Sequence, residues 1–291
     1  MKRSVEKVFA RPPRFNMVGD GFRVYNYFPN GGGVTQRRIS PFLMLDFGPA
    51  FDFGPSDKPR GVDVHPHKGF ETVTIAYKGS VAHNDSAGNA GIIKPGDVQW
   101  MTAGAGILHK EYHETEFSKK GGEFEMVQLW VNLPAKDKLT TPKYQEITAD
   151  KMGKVELVNG AGIVNVIAGS FNGSNGPATT FTPVNMFDIK LNKDGETDFT
   201  LSATQNAAIL VVEGSAEING EHAATHSFVL FKNNEGEEVH IKTSEGAVLL
   251  VLSGDPIDEP IAQYGPFVMN TQQELYTAFE EFQSGKFGHL S

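Results

Sequence analysis

The sequence predicts an all-β protein made of two antiparallel, jelly-roll-like β-barrels with a short C-terminal helix. Three observations carry that reading. The 291 residues include 32 glycines and 21 phenylalanines, a composition that suits many short strands joined by tight turns. Apolar and polar residues alternate with period two along several runs. A strand, a Gly-Ser turn and a second strand also recur at an offset of 135 residues, with 208–218 echoing 73–83. Duplication of one unit leaves such a repeat.

In chain order, residues 2–14 carry Lys2, Arg3, Lys7, Arg11 and Arg14 and read as a solvated basic arm. Residues 22–28 and 41–47 read as strands between turn residues, and 51–61 as a loop. The run 72–77 alternates, turns at Lys78-Gly79-Ser80 and resumes at 81–83, while 84–89 is turn chemistry throughout. Residues 91–94 lead to the turn Pro95-Gly96-Asp97, which launches 98–101. The small residues of 102–106 let the backbone bend before 107–109. Along 124–133, Val127, Leu129 and Val131 face one way, and Met126, Gln128 and Trp130 the other. The polar stretch 134–141 sets a boundary, giving one barrel over 1–135 and a second over 136–291. Strands follow at 155–158, 162–168, 181–191 and 208–218. A helix is expected over 272–287, with Thr271 as N-cap and Leu275, Phe279 and Phe282 at helical spacing.

Composition narrows the function. A net charge of −9 supplies no positive field for nucleic acid. The absence of cysteine excludes disulfides, thiolate ligands and a cysteine nucleophile, and fits a reducing cytoplasm. No apolar segment follows the basic N-terminus as a signal peptide requires. No window reaches the roughly 20 apolar residues of a membrane span.

Chemistry concentrates in His65-Pro66-His67 and His109-Lys110-Glu111. On a strand, residues i and i+2 share a face and lie about 6.6–7 Å apart, so each pair can lean onto one ion. Three imidazoles and a carboxylate suit a first-row transition metal, with Fe, Ni, Cu, Mn and Zn all acceptable. Five of the nine histidines fall between 65 and 113, which favours a metal site over isolated core histidines. Glu71 lies an even step from His67 and competes with Glu111 for the fourth position; spacing leaves both open. His83 either orients a ligand from behind or is structural, and His113, one rung beyond Glu111, is expected at the rim or in solvent. Shifting His65 and His67 by the repeat offset lands on Thr200 and Ser202, so the second barrel is expected to hold no metal. His222, His226 and His240 are read as surface or turn residues. Four ligands leave one or two positions open on an octahedral ion, as catalysis requires.

These motifs resemble the pirin family of the cupin superfamily. The resemblance rests on His65-Pro-His-Lys-Gly-Phe-Glu-Thr-Val-Thr, His83-Asn-Asp-Ser-Ala-Gly-Asn, Pro95-Gly-Asp-Val-Gln-Trp-Met-Thr-Ala-Gly-Ala-Gly-Ile-Leu-His109-Lys-Glu and Gln128-Leu-Trp-Val-Asn-Leu-Pro. Gln263-Tyr-Gly-Pro-Phe-Val-Met-Asn-Thr and Gln283-Ser-Gly-Lys-Phe-Gly extend it nearly to the C-terminus. It implies a bicupin with one metal, iron in well-known members, held in the N-terminal barrel by His65, His67, His109 and Glu111. Glu71 then becomes supporting or structural. Lys110 stands where pirins often have Ser or Ala, on the opposite strand face.

Two activities follow from the resemblance. One is quercetin 2,3-dioxygenase chemistry, in which O₂ opens a flavonol ring and carbon monoxide leaves. The metal would be Lewis acid and template, with Glu111 as ligand and general base. Met126, Gln128 and Trp130 would be pocket wall or core. The other is regulation by a metal- or redox-sensing protein that binds a transcription factor or metabolic enzyme, with a nuclear location in a eukaryote. No Arg or Lys cluster adjoins the motifs to hold a sugar phosphate or dicarboxylate, which counts against an isomerase or decarboxylase.

Overall fold

The computed structural model describes residues 1–31 and 33–290 and is mainly β, in two compact units. One comprises Pro13–Gly33, Phe42–Thr148 and Ile257–Ser291. Its larger sheet has seven strands in the spatial order Lys143–Ile147, Val98–Thr102, Phe70–Lys78, Gly122–Asn132, Phe42–Phe53, Phe22–Phe28 and Asn16–Val18. Its smaller sheet has four, ordered Gly61–His67, Ile107–His113, Val81–Asp85 and Ala90–Ile93. Every named pair is antiparallel. Phe22, Val24, Phe53, Phe124 and Met126 form one apolar cluster of this unit.

The second unit comprises Met1–Pro12, Val34–Pro41 and Ala149–Pro256. It repeats the plan, with a seven-stranded sheet from Val5–Phe9 to Gly153–Glu156 and a four-stranded sheet from Glu196–Thr200 to Glu221–Ala223. Its core is apolar, built on Phe171, Phe187, Phe199, Ile209, Phe231 and Leu249. His222 is exposed, while His226 sits in a turn at φ 64° and His240 is half-buried.

Two expectations are corrected. Residues 2–14 are not a solvated arm: Val5–Phe9 pairs with Phe228–Phe231 as the outer strand of a sheet. Arg3 is fully buried and donates to the carbonyls of Lys232 (3.2 Å), Ser202 (2.8 Å) and Gln205. A charge is tolerated there because backbone carbonyls replace its water. Nor do the units divide at 135/136. Lys143–Ile147 completes the first unit's sheet by pairing with Val98–Thr102, and the C-terminal segment returns to that unit.

The returning segment forms the hairpin Ala262–Tyr264/Phe267–Met269 and the helix Gln272–Gln283. Thr271 caps the helix in a reciprocal capping box with Glu274, which satisfies backbone donors that a helix start leaves open. Two buried lysines tie this segment to the turn that follows His67. Lys68 forms an ion pair with Glu281 at 2.9 Å. Lys138 donates to the Gly69 carbonyl (2.8 Å), Asn132 Oδ1 (2.8 Å) and the Val268 carbonyl (2.9 Å), and burial pulls its ammonium down to about 8. Lys138→Met should therefore cost about 1–3 kcal/mol in urea unfolding, because three acceptors lose their donor in a dry site. A loss under about 0.5 kcal/mol, the level of a surface change, would contradict this arrangement.

Candidate metal centre

Strand register assembles the site. His109 lies directly opposite His65, and Ile107 opposite His67. Pro66 fits in this strand because Gly61–His67 is the outer strand of its sheet, where a missing N–H breaks no ladder. The chain then turns at Gly69, whose φ is 84° and where an added Cβ would meet the Val268 carbonyl at 2.1 Å. Only glycine fits such a left-handed, crowded position.

The three imidazoles converge. Ring centroids are 4.9 Å apart for His65–His67, 4.2 Å for His65–His109 and 4.7 Å for His67–His109. A nitrogen from each belongs to one group of mutually close ligand atoms. His67 and His109 are buried, whereas His65 is half-buried and marks the side from which solvent reaches the group. His65 Nδ1–H donates to the Asp63 carbonyl at 2.8 Å, which leaves Nε2 with its lone pair. Nδ1 of His67 and both ring nitrogens of His109 are buried without a hydrogen-bond partner. Burial first, then the neighbouring imidazoles, push the pKa of His109 well below the ordinary histidine range. His67 is lowered likewise by burial and His65, against the opposing Pro266 carbonyl. Neutral, unpartnered, converging nitrogens are what a divalent metal needs. The residues fit the metal that the motifs imply.

Glu111 is buried nearby but in a second group, with His109 and His83. Its Oε1 accepts from the Thr74 hydroxyl at 3.0 Å and from the Gln99 amide, and its Oε2 from the Gln128 amide at 2.8 Å. His83, directly opposite Glu111 on the adjoining strand, is also buried. It shares a hydrogen bond with Asp85 Oδ2 at 3.2 Å through Nε2, and its Nδ1 is unpartnered. Burial pushes the Asp85 carboxyl up, but the bonds from His83 and Asn89 outweigh it and hold the group below its usual range. Tyr144 stacks on His83 with centroids 4.8 Å apart and planes at 18°.

Residues 21–131 match the family model for pirin, and residues 186–288 that for the pirin C-terminal cupin domain. The chain belongs to the pirin family. A Pseudomonas aeruginosa protein provisionally named quercetin 2,3-dioxygenase is 43% identical over 93% of each chain. A tomato (Solanum lycopersicum) pirin-like protein is 37% identical, covering 98% of this chain and 96% of its own. The solved structure of a quercetin 2,3-dioxygenase from Acinetobacter baumannii matches with a TM-score of 0.93 at 42% identity, covering 100% of both chains. As in other pirins, the two units are cupin-type domains.

Gln128 and Trp130 do face the site: Gln128 reaches Glu111, and the Trp130 ring lies 5.3 Å from His67 and 4.2 Å from Phe70. Met126, farther along, packs in the apolar cluster with Phe22 and Phe124. His113 is not at the rim. It is fully buried among Phe22, Phe53, Phe117 and Phe124, with Nε2–H donating to the Gly21 carbonyl at 2.8 Å. The interior is deep enough that the rung beyond Glu111 is core. Glu71 also leaves the site. The turn at Gly69 resets the strand's alternation, so Thr74 faces Glu111 while Glu71, three residues earlier, faces the other way and accepts from Thr102 at 2.7 Å.

Burial raises the Glu71 carboxyl to about 7, against the opposing bond from Thr102 and the charge of Lys143. A carboxyl raised in the folded state holds its proton more tightly there, so stability is lost as pH climbs from 4.5 toward 7. Glu71→Gln keeps an oxygen for Thr102 and removes that loss. It should be more stable than the parent by about 1–3 kcal/mol at pH 8, with the gap closing near pH 4 in paired urea titrations. A gap that does not change with pH would contradict the assignment.

Proposed function

We propose that this chain is a metal-dependent dioxygenase for a flavonol-type aromatic substrate. It would open the ring with O₂ and release carbon monoxide. The observation that carries the reading is the convergence of His65, His67 and His109, with unpartnered nitrogens on His67 and His109, beside the buried carboxylate of Glu111. The names of the Pseudomonas and Acinetobacter relatives supply the substrate class. His65, His67, His109 and Glu111 would hold the metal, for which Fe(II) suits the nitrogen and oxygen donors. Bound there, it would serve as a Lewis acid for the substrate oxygen and a template for O₂.

The chain's own residues would do the rest. Half-buried Trp130, against Phe70, offers an aromatic wall beside His67 for a planar ring. Entry from the His65 side would bring a substrate hydroxyl to the interior carboxylate. Glu111 is the proton acceptor in reach, and the buried amides around it keep water from competing. The location is read as cytoplasmic.

The test is anaerobic purification, reconstitution with Fe(II), and incubation with quercetin while O₂ uptake and carbon monoxide are followed. His65→Ala should lose both metal and turnover. Glu111→Ala should lose turnover by about a hundredfold or more, the scale of a missing general base. One metal per chain with no O₂ uptake would instead move the assignment to the metal-sensing regulator.

A further inference from the structure

Glu111 is the one expected ligand that groups with His109 but not with His65 and His67, and the structure shows what holds it. Its donors form a single row across three adjacent strands: Thr74 is registered opposite Gln128 on one side and Gln99 on the other. Thr74 and Gln99 are buried, and Gln128 is half-buried. The row is also internally bonded, since Thr74 Oγ1 accepts from Gln99 at 3.2 Å and Gln128 at 3.4 Å while donating to Glu111 Oε1 at 3.0 Å. The Tyr144 hydroxyl lies behind Gln99, 3.5 Å from its Oε1. Burial and the carboxylates of Glu146, Glu111 and Asp85 keep that phenol protonated. Three neutral donors, preset on a rigid sheet, form a built seat for one carboxylate.

We propose that Glu111 has two stations, the metal and this seat, and that Thr74, Gln99 and Gln128 are positioning residues that set the balance between them. The inference rests on reading His65, His67 and His109 as metal ligands. In the seat, Glu111 leaves a metal position open for substrate. Released, it can close that position as a fourth protein ligand. Donors of this kind usually support a ligand, so that their loss weakens metal binding about 10–100-fold. Here the seat competes with the metal, and the sign reverses.

The experiment titrates Co(II) into the intact protein, with the visible d–d spectrum reporting coordination. Gln128→Leu is the primary variant, because Gln128 is the least buried of the three, and Thr74→Val is a second in case the first folds poorly. Each is repeated in a Glu111→Gln background. The expected result is Co(II) binding tighter by about tenfold in the single variants, with weaker d–d bands as coordination rises. Neither change should appear in the Glu111→Gln background. Unchanged or weaker binding in the single variants, or the same change in both backgrounds, would overturn the two-station inference while leaving the site intact. No Co(II) binding by the parent protein would instead overturn the metal reading beneath it.

Discussion

The antiparallel register that sets His109 opposite His65 is the constraint on which the rest of the site depends. A strand's side chains alternate, so a slip of one residue would turn His109 and Glu111 outward and bring Lys110 in. The register is held from both sides of Ile107–His113, by Gly61–His67 and by Val81–Asp85. The register shifts between His109 and Glu111 on the Gly61–His67 side, and His109 is the residue shared by the three-imidazole group and the group that contains Glu111. One strand thereby serves two chemically different neighbourhoods.

The interior pays for this chemistry in buried polarity. A row running Asn26, Asp46, Gln128, Thr74 and Gln99 crosses five strands by direct pairing. Asn26 donates to Asp46 at 2.8 Å, yet burial still raises that carboxyl to about 6. An apolar row would be more stable. The second unit has the same sheet plan and fills its core with phenylalanine, leucine, isoleucine and valine. The second unit buries polar side chains of its own, Asp188, Gln205, Asn206 and Ser253 among them, but the row through Thr74 is the one that converges on the Glu111 carboxylate. The lysine ties at Lys68 and Lys138 belong to the same logic, because they fix the chain where it leaves His67 and so help to place that ring.

Much of this was legible in the sequence. The His65/His67 and His109/Glu111 pairs, the alternation of Gln128 and Trp130, the turns and the capped helix all come from local patterns with a fixed period. What was missed is non-local. Val5–Phe9 looks like a basic arm because its charges are local, while the partner strand that makes it part of a sheet lies more than 200 residues away. The unit boundary was missed for the same reason, since Lys143–Ile147 and the C-terminal segment declare their unit only by pairing. Spacing left Glu71 open as a rival to Glu111 because the change of parity at Gly69 comes from a positive φ that no spacing rule registers. His113 was misjudged because depth is a property of the closed barrel and not of a strand. Thr74 and Gln99 carried one usable signal, polar residues inside otherwise apolar strand runs, but their convergence on Glu111 needs the register.

Three imidazoles meeting at one ion are the centre of the site. X-ray absorption at the metal edge of the Fe(II)-reconstituted protein tests that most directly. The expected result is multiple-scattering features of three imidazoles at about 2.1 Å, with the remaining shell made of oxygen. Two imidazoles or fewer would contradict it, whatever the protein's activity.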